Sequence, residues 1–313
     1  MMPVLYAVVV LLLAVNVILG LPRAVDLIQT QVSANNVPTN SVSQGLTPEV
    51  AGIAKEMLTP DNLGSPPPSF SATSVMATDL DTGFIFFVKD PNRRVPIAST
   101  TKIMTAIVAA DHFQPNEILT VPSSSLVSGS TMGLSAGEKL TFRSLLYGML
   151  LNSGNDAAYT IAENYPGGVK SFIEAMNSKA ISMGLFNTHF DNPAGFDSPD
   201  HFSSASDLSK IAYIAAGNPL LSRAVATKEA TVSSVDQVII HPLKNLNKLL
   251  GVTGILGIKT GTTPAAKENF VGLAEKNGHK ILTIVLGSDD RFGETESLIN
   301  WVNENFSWPK DVN

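Results

Sequence analysis

Two strand-like apolar runs lie near residue 80, and three more lie near the end of the chain. The segments between these two groups repeat their apolar residues with the 3.6-residue period of helices. Strands at both ends with helices between them predict an α+β fold: an antiparallel sheet of about five strands, flanked by helices and carrying an inserted helical lobe. The predicted strands cover 73–80, 83–90, 254–263, 269–278 and 280–289, and the predicted helices begin near residues 100, 141, 156, 169, 203 and 294.

A different pattern occupies the first 70 residues. The first 22 residues contain no charged side chain, and the apolar run from Val4 to Leu21 is long enough to cross a bilayer as a helix. Residues 1–23 are therefore predicted to be a transmembrane anchor or a signal segment, and the lack of a clear small-residue cleavage site favours the anchor. Residues 24–70 are rich in Pro, Ser, Thr, Asn and Gln, which predicts a flexible linker before a folded domain over 71–313.

Composition excludes several kinds of chemistry. The formal net charge is −6, without a block of Lys or Arg, so nucleic acid is not an expected partner. The chain has no cysteine, which rules out disulfides, thiolate catalysis and Cys-ligated zinc. Its five histidines are scattered and include no pair at the i, i+4 spacing of a metal site, so no metal is predicted.

The stretch RVPIASTTKIMTAIVAAD places Ser99 and Lys102 at the start of a helix whose buried face includes Ile103 and Ile107. A spacing of three residues puts the hydroxyl and the amine on the same side of the chain. Serine becomes a nucleophile when a base takes its proton, and lysine can be that base if burial or nearby positive charge lowers its pKa. The alternative is that Ser99 caps the helix while Lys102 extends its stem toward water.

Two further short patterns strengthen the catalytic interpretation. Ser153 and Asn155 lie in a break between two apolar helices, and Lys259, Thr260 and Gly261 end a predicted strand. Each pattern alone is common. Together, in the order Ser-x-x-Lys, Ser-x-Asn and Lys-Thr-Gly, they form a specific signature of serine enzymes that react with penicillin.

With these motifs the chain resembles the serine-type D-alanyl-D-alanine carboxypeptidases among the low-molecular-mass penicillin-binding proteins, over about residues 70–313. The segments MGLFNTHFDNPAGF and LKNLNKLL also look like family segments. The resemblance implies a cofactor-free, extracytoplasmic enzyme that removes the terminal D-alanine from D-Ala-D-Ala stem peptides of peptidoglycan. It implies covalent inhibition by β-lactams, and the N-terminal segment would attach the protein to the membrane.

The resemblance also implies a role for each motif residue. Ser99 would be the nucleophile, Lys102 its base, and Ser153 a relay that passes a proton to the leaving amine. The residues implied to bind substrate are Asn155 at the amide backbone, Lys259, Thr260 and Thr262 at the terminal carboxylate, and Gly261 where the backbone approaches the ligand. The oxyanion hole would consist of the backbone N–H groups of Ser99 and Thr262.

Some positions are left open by the resemblance. Arg223 and Lys228 are candidates for an additional cation at the substrate carboxylate, since no arginine is clearly placed there. Position 194 is alanine within NPAGF, a loop to which no role is assigned.

Three alternatives share most of these features. A class A β-lactamase would need a glutamate in a Glu-x-x-Leu-Asn context, and the sequence has neither this pattern nor any glutamate between Ala175 and Lys228. A transpeptidase would use the same residues with an amine in place of water. A catalytically silent wall-binding protein is disfavoured because all the motif residues are present.

Overall fold

The computed structural model describes residues 59–252, 254–276 and 278–308. The predicted anchor over 1–23 and residues 24–58 of the predicted linker lie outside these ranges. Within them, β1 (Asp61–Asn62) pairs antiparallel with β11 (Phe306–Ser307), so the two ends of the described chain meet. Among the helices of the described residues, none is both long and apolar enough to cross a membrane.

A five-stranded antiparallel sheet forms the centre of the fold. Its strands are β2 (Ser74–Asp79), β3 (Ile85–Lys89), β8 (Ile255–Thr263), β9 (Lys267–Lys276) and β10 (His279–Ser288). Their order in the sheet is β3-β2-β10-β9-β8. Because β10 pairs with both β2 and β9, strands from the two ends of the domain join in one sheet, and Thr283 lies opposite Ala77 on one side and Gly272 on the other. The predicted fold class is confirmed.

Helices cover both faces of this sheet. They are α1 (Lys102–His112), α2 (Phe142–Leu151), α3 (Asn155–Asn164), α4 (Gly168–Ser182), α5 (Ala205–Gly217), α6 (Pro219–Val225) and α7 (Arg291–Asn305). On one face α7 packs against β9 and β10, and on the other face α5 packs against β2 and β10. Ile281 of β10 lies in the apolar cluster on the α7 side of the sheet, and Leu282 lies in the apolar cluster on the α5 side. Burial on both faces explains why β10 is a nearly continuous apolar run in the sequence.

The helical lobe is built around α1, which contacts α2, α3, α4, α5 and α6. Every residue of α1 from Lys102 to Ala109 is buried. Alanines at 106 and 109 allow the neighbouring helices to approach, and Ile103 and Ile107 fill the spaces between them. The lobe therefore holds the start of α1 at the junction between helices and sheet.

Several short elements were not predicted from the sequence. β4 (Ile118–Thr120) pairs with β5 (Lys139–Thr141), and β6 (Glu229–Ser233) pairs with β7 (Ile240–Lys244). These strands have three to five residues and lie outside the central sheet. Segments this short contain too few residues for the alternation of apolar and polar side chains in a strand to be recognised in the sequence.

Candidate active site

Ser99 lies on a 3₁₀ turn, Ala98–Thr101, that leads directly into α1. Ala98 has a φ of +47°, in the left-handed region that residues with a Cβ rarely adopt. The N-cap residue of α1 is Thr101, and neither the turn nor the helix has a side-chain cap hydrogen bond. The structure therefore contradicts the alternative in which Ser99 serves as a helix cap.

Lys102 is the first residue of α1 and is fully buried. Its Nζ lies 3.0 Å from Ser99 Oγ, 2.8 Å from Asn155 Oδ1 and 2.6 Å from the carbonyl oxygen of Ala194. A neutral amine has two N–H groups and one lone pair. The two N–H groups can be donated to Asn155 and Ala194, which leaves the lone pair free to accept the Ser99 proton.

Burial and nearby charge favour the neutral form of this amine. Desolvation lowers the pKa of Lys102 well below its usual value of 10.5, and the positive charge of Lys259 lowers it further. The buried carboxylate of Asp156 acts in the opposite direction. Desolvation dominates because the ammonium ion loses its hydration shell inside the protein, whereas the neutral amine loses much less.

The Ser-x-Asn motif lies where α2 ends and α3 begins. Ser153 is almost fully buried and has a φ of +58°, in the left-handed region that residues with a Cβ rarely adopt. Asn155 is the first residue of α3, and its Oδ1 accepts a hydrogen bond from Lys102 while its Nδ2 donates to the carbonyl of Ser128. One of the two Nδ2 hydrogens is left for the predicted contact with a substrate amide.

Asp156 is a buried residue of the site that the sequence analysis missed. Its carboxylate accepts backbone N–H groups from Met132, Gly133 and Leu134, at distances between 3.0 and 3.1 Å. Asn155 N–H donates to the carbonyl of Ser130, so the same helix start holds this loop at two points. The loop is thereby fixed beside Asn155. No short motif marks this role, because the partners are backbone groups.

Strand β8 brings the Lys-Thr-Gly motif against the turn that carries Ser99. A Cβ placed on Gly261 would lie 3.0 Å from the backbone nitrogen of Ser99 and 3.0 Å from the Cβ of Ala98. Only glycine allows this close approach. Lys259 is buried, and its Nζ donates to the carbonyl of Thr260 at 3.1 Å. Burial, together with the charge of Arg291, lowers the pKa of Lys259 to about 7.

Arg291, at the start of α7, is the cation that reaches this end of β8. Its Nη1 donates to the carbonyl of Gly261 at 2.9 Å and to the hydroxyl of Thr262. The side chain is about half-buried, and burial lowers its pKa, an effect that Glu268 opposes. Arg291 follows β10 in the sequence, and nothing in its local pattern indicates that it contacts β8.

The two cations considered from the sequence lie elsewhere. Arg223 is an exposed residue of α6, a helix that meets β8 at Gly257, and the amine of Lys228 lies against Gly251. Of these three residues, Arg291 is the one whose side chain donates to the Lys-Thr-Gly strand, at Gly261 and Thr262. Ala194, which had no assigned role, contributes the backbone carbonyl that accepts from Lys102.

The described residues contain no group of three or more His, Cys, Asp or Glu side chains arranged to hold a metal ion. The site instead combines a hydroxyl beside a neutral amine, a second buried amine, and a guanidinium at the edge of a strand. A nucleophile with an adjacent base on one side and two cationic groups on the other suits an acyl substrate that ends in a carboxylate.

Comparison with known proteins agrees with this chemistry. The model of the D-alanyl-D-alanine carboxypeptidase family matches residues 62–290. A D-alanyl-D-alanine carboxypeptidase of Streptomyces sp. (strain K15) is 36% identical over 239 residues, which cover 71% of this chain and 82% of the relative. The D-alanyl-D-alanine carboxypeptidase DacB2 of Mycobacterium tuberculosis is 32% identical over 247 residues, covering 75% of this chain and 84% of the relative.

A solved structure shares the whole fold. The crystal structure of the Streptomyces K15 DD-transpeptidase superposes with a TM-score of 0.73 at 33% identity, and the match covers 77% of this chain and 100% of that one. The family match spans the sheet, the helical lobe and all three motifs. The chain therefore belongs to the D-alanyl-D-alanine carboxypeptidase family of serine hydrolases, with the fold of the penicillin-binding DD-peptidases.

Proposed function

We propose that Ser99 is the nucleophile of this carboxypeptidase and that Lys102 is its general base. The observation that carries the proposal is the 3.0 Å contact between Lys102 Nζ and Ser99 Oγ, in surroundings that favour a neutral amine. Ser99 Oγ attacks the carbonyl carbon between the two D-alanines while its proton moves to Lys102. The terminal D-alanine leaves with a proton relayed through Ser153, and water then releases the acyl group from Ser99.

The substrate carboxylate is proposed to bind where β8 meets α7. Lys259 and Arg291 supply positive charge there, and the hydroxyls of Thr260 and Thr262 supply hydrogen bonds. Among the described residues β8 has β9 as its sole partner strand, so its other edge is available to a peptide. The substrate would add to this edge as an extended strand, with Asn155 at its amide backbone.

The oxyanion hole is proposed to form between the turn and the strand. The backbone N–H of Ser99 and that of Thr262 would both donate to the carbonyl oxygen as it gains negative charge. The absence of a side chain at Gly261 supports this arrangement, because it lets β8 lie close to the Ser99 nitrogen.

Penicillin provides the direct test of this assignment. A β-lactam resembles the acyl-D-Ala-D-Ala end, so Ser99 should open its ring and keep the acyl group. Release should take minutes or longer, against a typical enzyme turnover of about 10 per second, because no glutamate lies between Ala175 and Lys228 to position a water. Intact-mass measurement should show a lasting adduct on wild type and none on Ser99→Ala. Rapid turnover without an adduct would indicate a β-lactamase instead.

Transfer of the acyl group to an amine is the second candidate function. It is favoured by the similarity to the Streptomyces K15 DD-transpeptidase, which covers the whole of that chain. The same acyl-enzyme would then react with an amine in place of water. Product analysis with a D-Ala-D-Ala peptide, with and without added glycine or D-alanine, measures the partition between hydrolysis and transfer.

The family acts on the cell wall outside the cytoplasm, and we further propose that residues 1–23 anchor this enzyme in the membrane. The uncharged run between Val4 and Leu21 supports this. Cell fractionation of full-length protein should place it with membranes, whereas a protein that lacks residues 1–23 should not sediment with them. If cells that express the full-length sequence yield a soluble protein without the N-terminal segment, that segment is cleaved.

A further inference from the structure

His201 is a buried histidine to which the mechanism above gives no role. It is 2% exposed, and both of its ring nitrogens have partners. Nδ1 accepts the backbone N–H of Asp191 at 3.0 Å, and Nε2 lies 2.6 Å from the hydroxyl oxygen of Thr101. Since Nδ1 faces an N–H donor, the ring must be neutral with its hydrogen on Nε2. Burial lowers the pKa of His201 to about 4, which agrees with a neutral ring.

The hydrogen bond continues from Thr101 to the residue before the nucleophile. His201 Nε2–H donates to Thr101 Oγ1, and Thr101 Oγ1–H donates in turn to the carbonyl of Ala98 at 2.8 Å. All three residues are buried. Two consecutive hydrogen bonds polarise one another, so the bond to the Ala98 carbonyl is stronger than an isolated one.

Ala98 needs such support because of its conformation. A φ of +47° is unfavourable for alanine by about 1–2 kcal/mol, and such residues persist where their surroundings hold them. Gly195 confines the same carbonyl from another direction, since a Cβ at Gly195 would lie 1.9 Å from the Ala98 oxygen. The direction of this carbonyl is therefore fixed by Thr101 and by the backbone of Gly195.

The carbonyl of Ala98 and the N–H of Ser99 belong to one peptide unit. That unit is planar and trans, so the C=O and the N–H point in opposite directions. Holding the oxygen against Thr101 directs the Ser99 N–H away from it, and the Ser99 nitrogen lies against Gly261 of β8. We propose that His201, acting through Thr101 and the Ala98 carbonyl, is a positioning residue that directs the Ser99 N–H into the oxyanion hole.

This inference rests on the proposed role of Ser99 as the nucleophile, and its test uses matched substitutions. Each amide side chain reproduces one nitrogen of the histidine ring. Asparagine Oδ1 lies at the same number of bonds from Cβ as histidine Nδ1, and glutamine Nε2 lies at the same number of bonds from Cβ as histidine Nε2. His201→Asn therefore keeps the acceptor for Asp191 and loses the donor to Thr101, whereas His201→Gln does the reverse. Thr101→Val removes the hydroxyl at constant shape, and Thr101→Ser restores it.

The measurement is the rate constant of penicillin acylation at saturation, together with the penicillin concentration that gives half of it. His201→Asn and Thr101→Val should each lower the rate constant about 10-fold or more, since a misdirected oxyanion donor loses part of a 10²- to 10³-fold effect. The half-saturating concentration should change by less than about 3-fold. His201→Gln and Thr101→Ser should stay within about 3-fold of wild type in both quantities. The double variant that combines His201→Asn with Thr101→Val should be no slower than the slower of these two single variants.

Thr160→Val is the control for burying a valine in place of a threonine. Thr160 is buried in α3, and its hydroxyl has no hydrogen-bond partner among the described residues, so acylation should be unchanged. If Thr101→Val does not fold, the His201 pair decides. Equal rates for His201→Asn and His201→Gln, or a rate for a folded Thr101→Val near that of wild type, would overturn the inference. Absence of an adduct on wild type would overturn both this inference and the proposed function.

Discussion

Two buried lysines, one at the start of α1 and one on β8, show how surroundings divide one residue type between two tasks. Lys102 contacts polar groups of three segments, at Ser99, Asn155 and Ala194. Lys259 has one such contact, to the carbonyl of Thr260. Burial lowers the pKa of both amines, and it brings that of Lys259 to about 7, where its charge responds to what binds beside it.

In the proposed mechanism this difference makes the lysine of α1 the base and the lysine of β8 the source of positive charge. An amine whose pKa lies well below its usual value can take a proton from Ser99, whereas an amine that titrates near neutral pH can become fully charged when a carboxylate arrives.

Replacing Lys102 should abolish acylation. We expect Lys102→Ala and Ser99→Ala each to reduce D-alanine release by about 10³-fold or more, and the double variant to be no worse, because nucleophile and base act as one unit. Lys102→Arg should be as inactive, since guanidinium stays protonated. The readouts are D-alanine release and the penicillin adduct. Near-normal activity of any Lys102 variant at neutral pH would show that another group is the base.

Removing the positive charge of Arg291 should weaken substrate binding. We expect Arg291→Gln to raise KM about 10-fold or more for a D-Ala-D-Ala peptide, because the carboxylate loses a charge-assisted hydrogen bond. Arg223→Gln is the matched control, since Arg223 is exposed on α6. Steady-state kinetics on both variants distinguish the two arginines, and equal effects would contradict the placement of the carboxylate beside Arg291.

The two lysines should limit activity at opposite ends of the pH range. Lys102 must be neutral to act, so kcat/KM should rise with pH as Lys102 loses its proton, well below 10.5. Lys259 binds best when charged, so kcat/KM should fall about 10-fold per unit above its pKa of about 7. Arg291→Gln should move this alkaline limb to higher pH, because Arg291 lowers the pKa of Lys259. An unshifted limb would assign it to another group.

The lowered pKa of Lys259 also affects stability. Between pH 7 and 10.5 the unfolded chain keeps Lys259 protonated while the folded protein does not. The free energy of unfolding of wild type should therefore rise with pH relative to Lys259→Met, by at most about 1.4 kcal/mol per unit. Urea titrations of both proteins across this range provide the measurement. Parallel pH dependences would mean that the folded protein keeps Lys259 charged.

The sequence predicted the parts of the site that belong to single segments. Lys102 lies at helical spacing from the hydroxyl of Ser99, and Lys259 lies at the end of a predicted strand. Each pattern places the lysine without reference to the rest of the chain. The central strands were predicted for the same reason, since apolar runs such as that of β10 reflect burial on both faces.

The parts that depend on contacts between distant segments were not predicted. Arg291 reaches β8 because the sheet order brings the start of α7 to that edge, and no local pattern encodes sheet order. The 3₁₀ turn at Ser99 depends on Ala98, whose left-handed conformation is held by Thr101 and Gly195. Asp156 binds backbone groups of a loop whose side chains give no sign of it.

The pairing of β10 with β2 also determines when the enzyme can become active during synthesis. Partners such as Asp79 and Ile281 are about 200 residues apart in sequence, and contacts of such separation form slowly and only after the later segment exists. Ser99 and Lys102 therefore leave the ribosome well before the strand that completes their site. A chain that cannot assemble its sheet until its last strands are made has no complete active site while it is being synthesised.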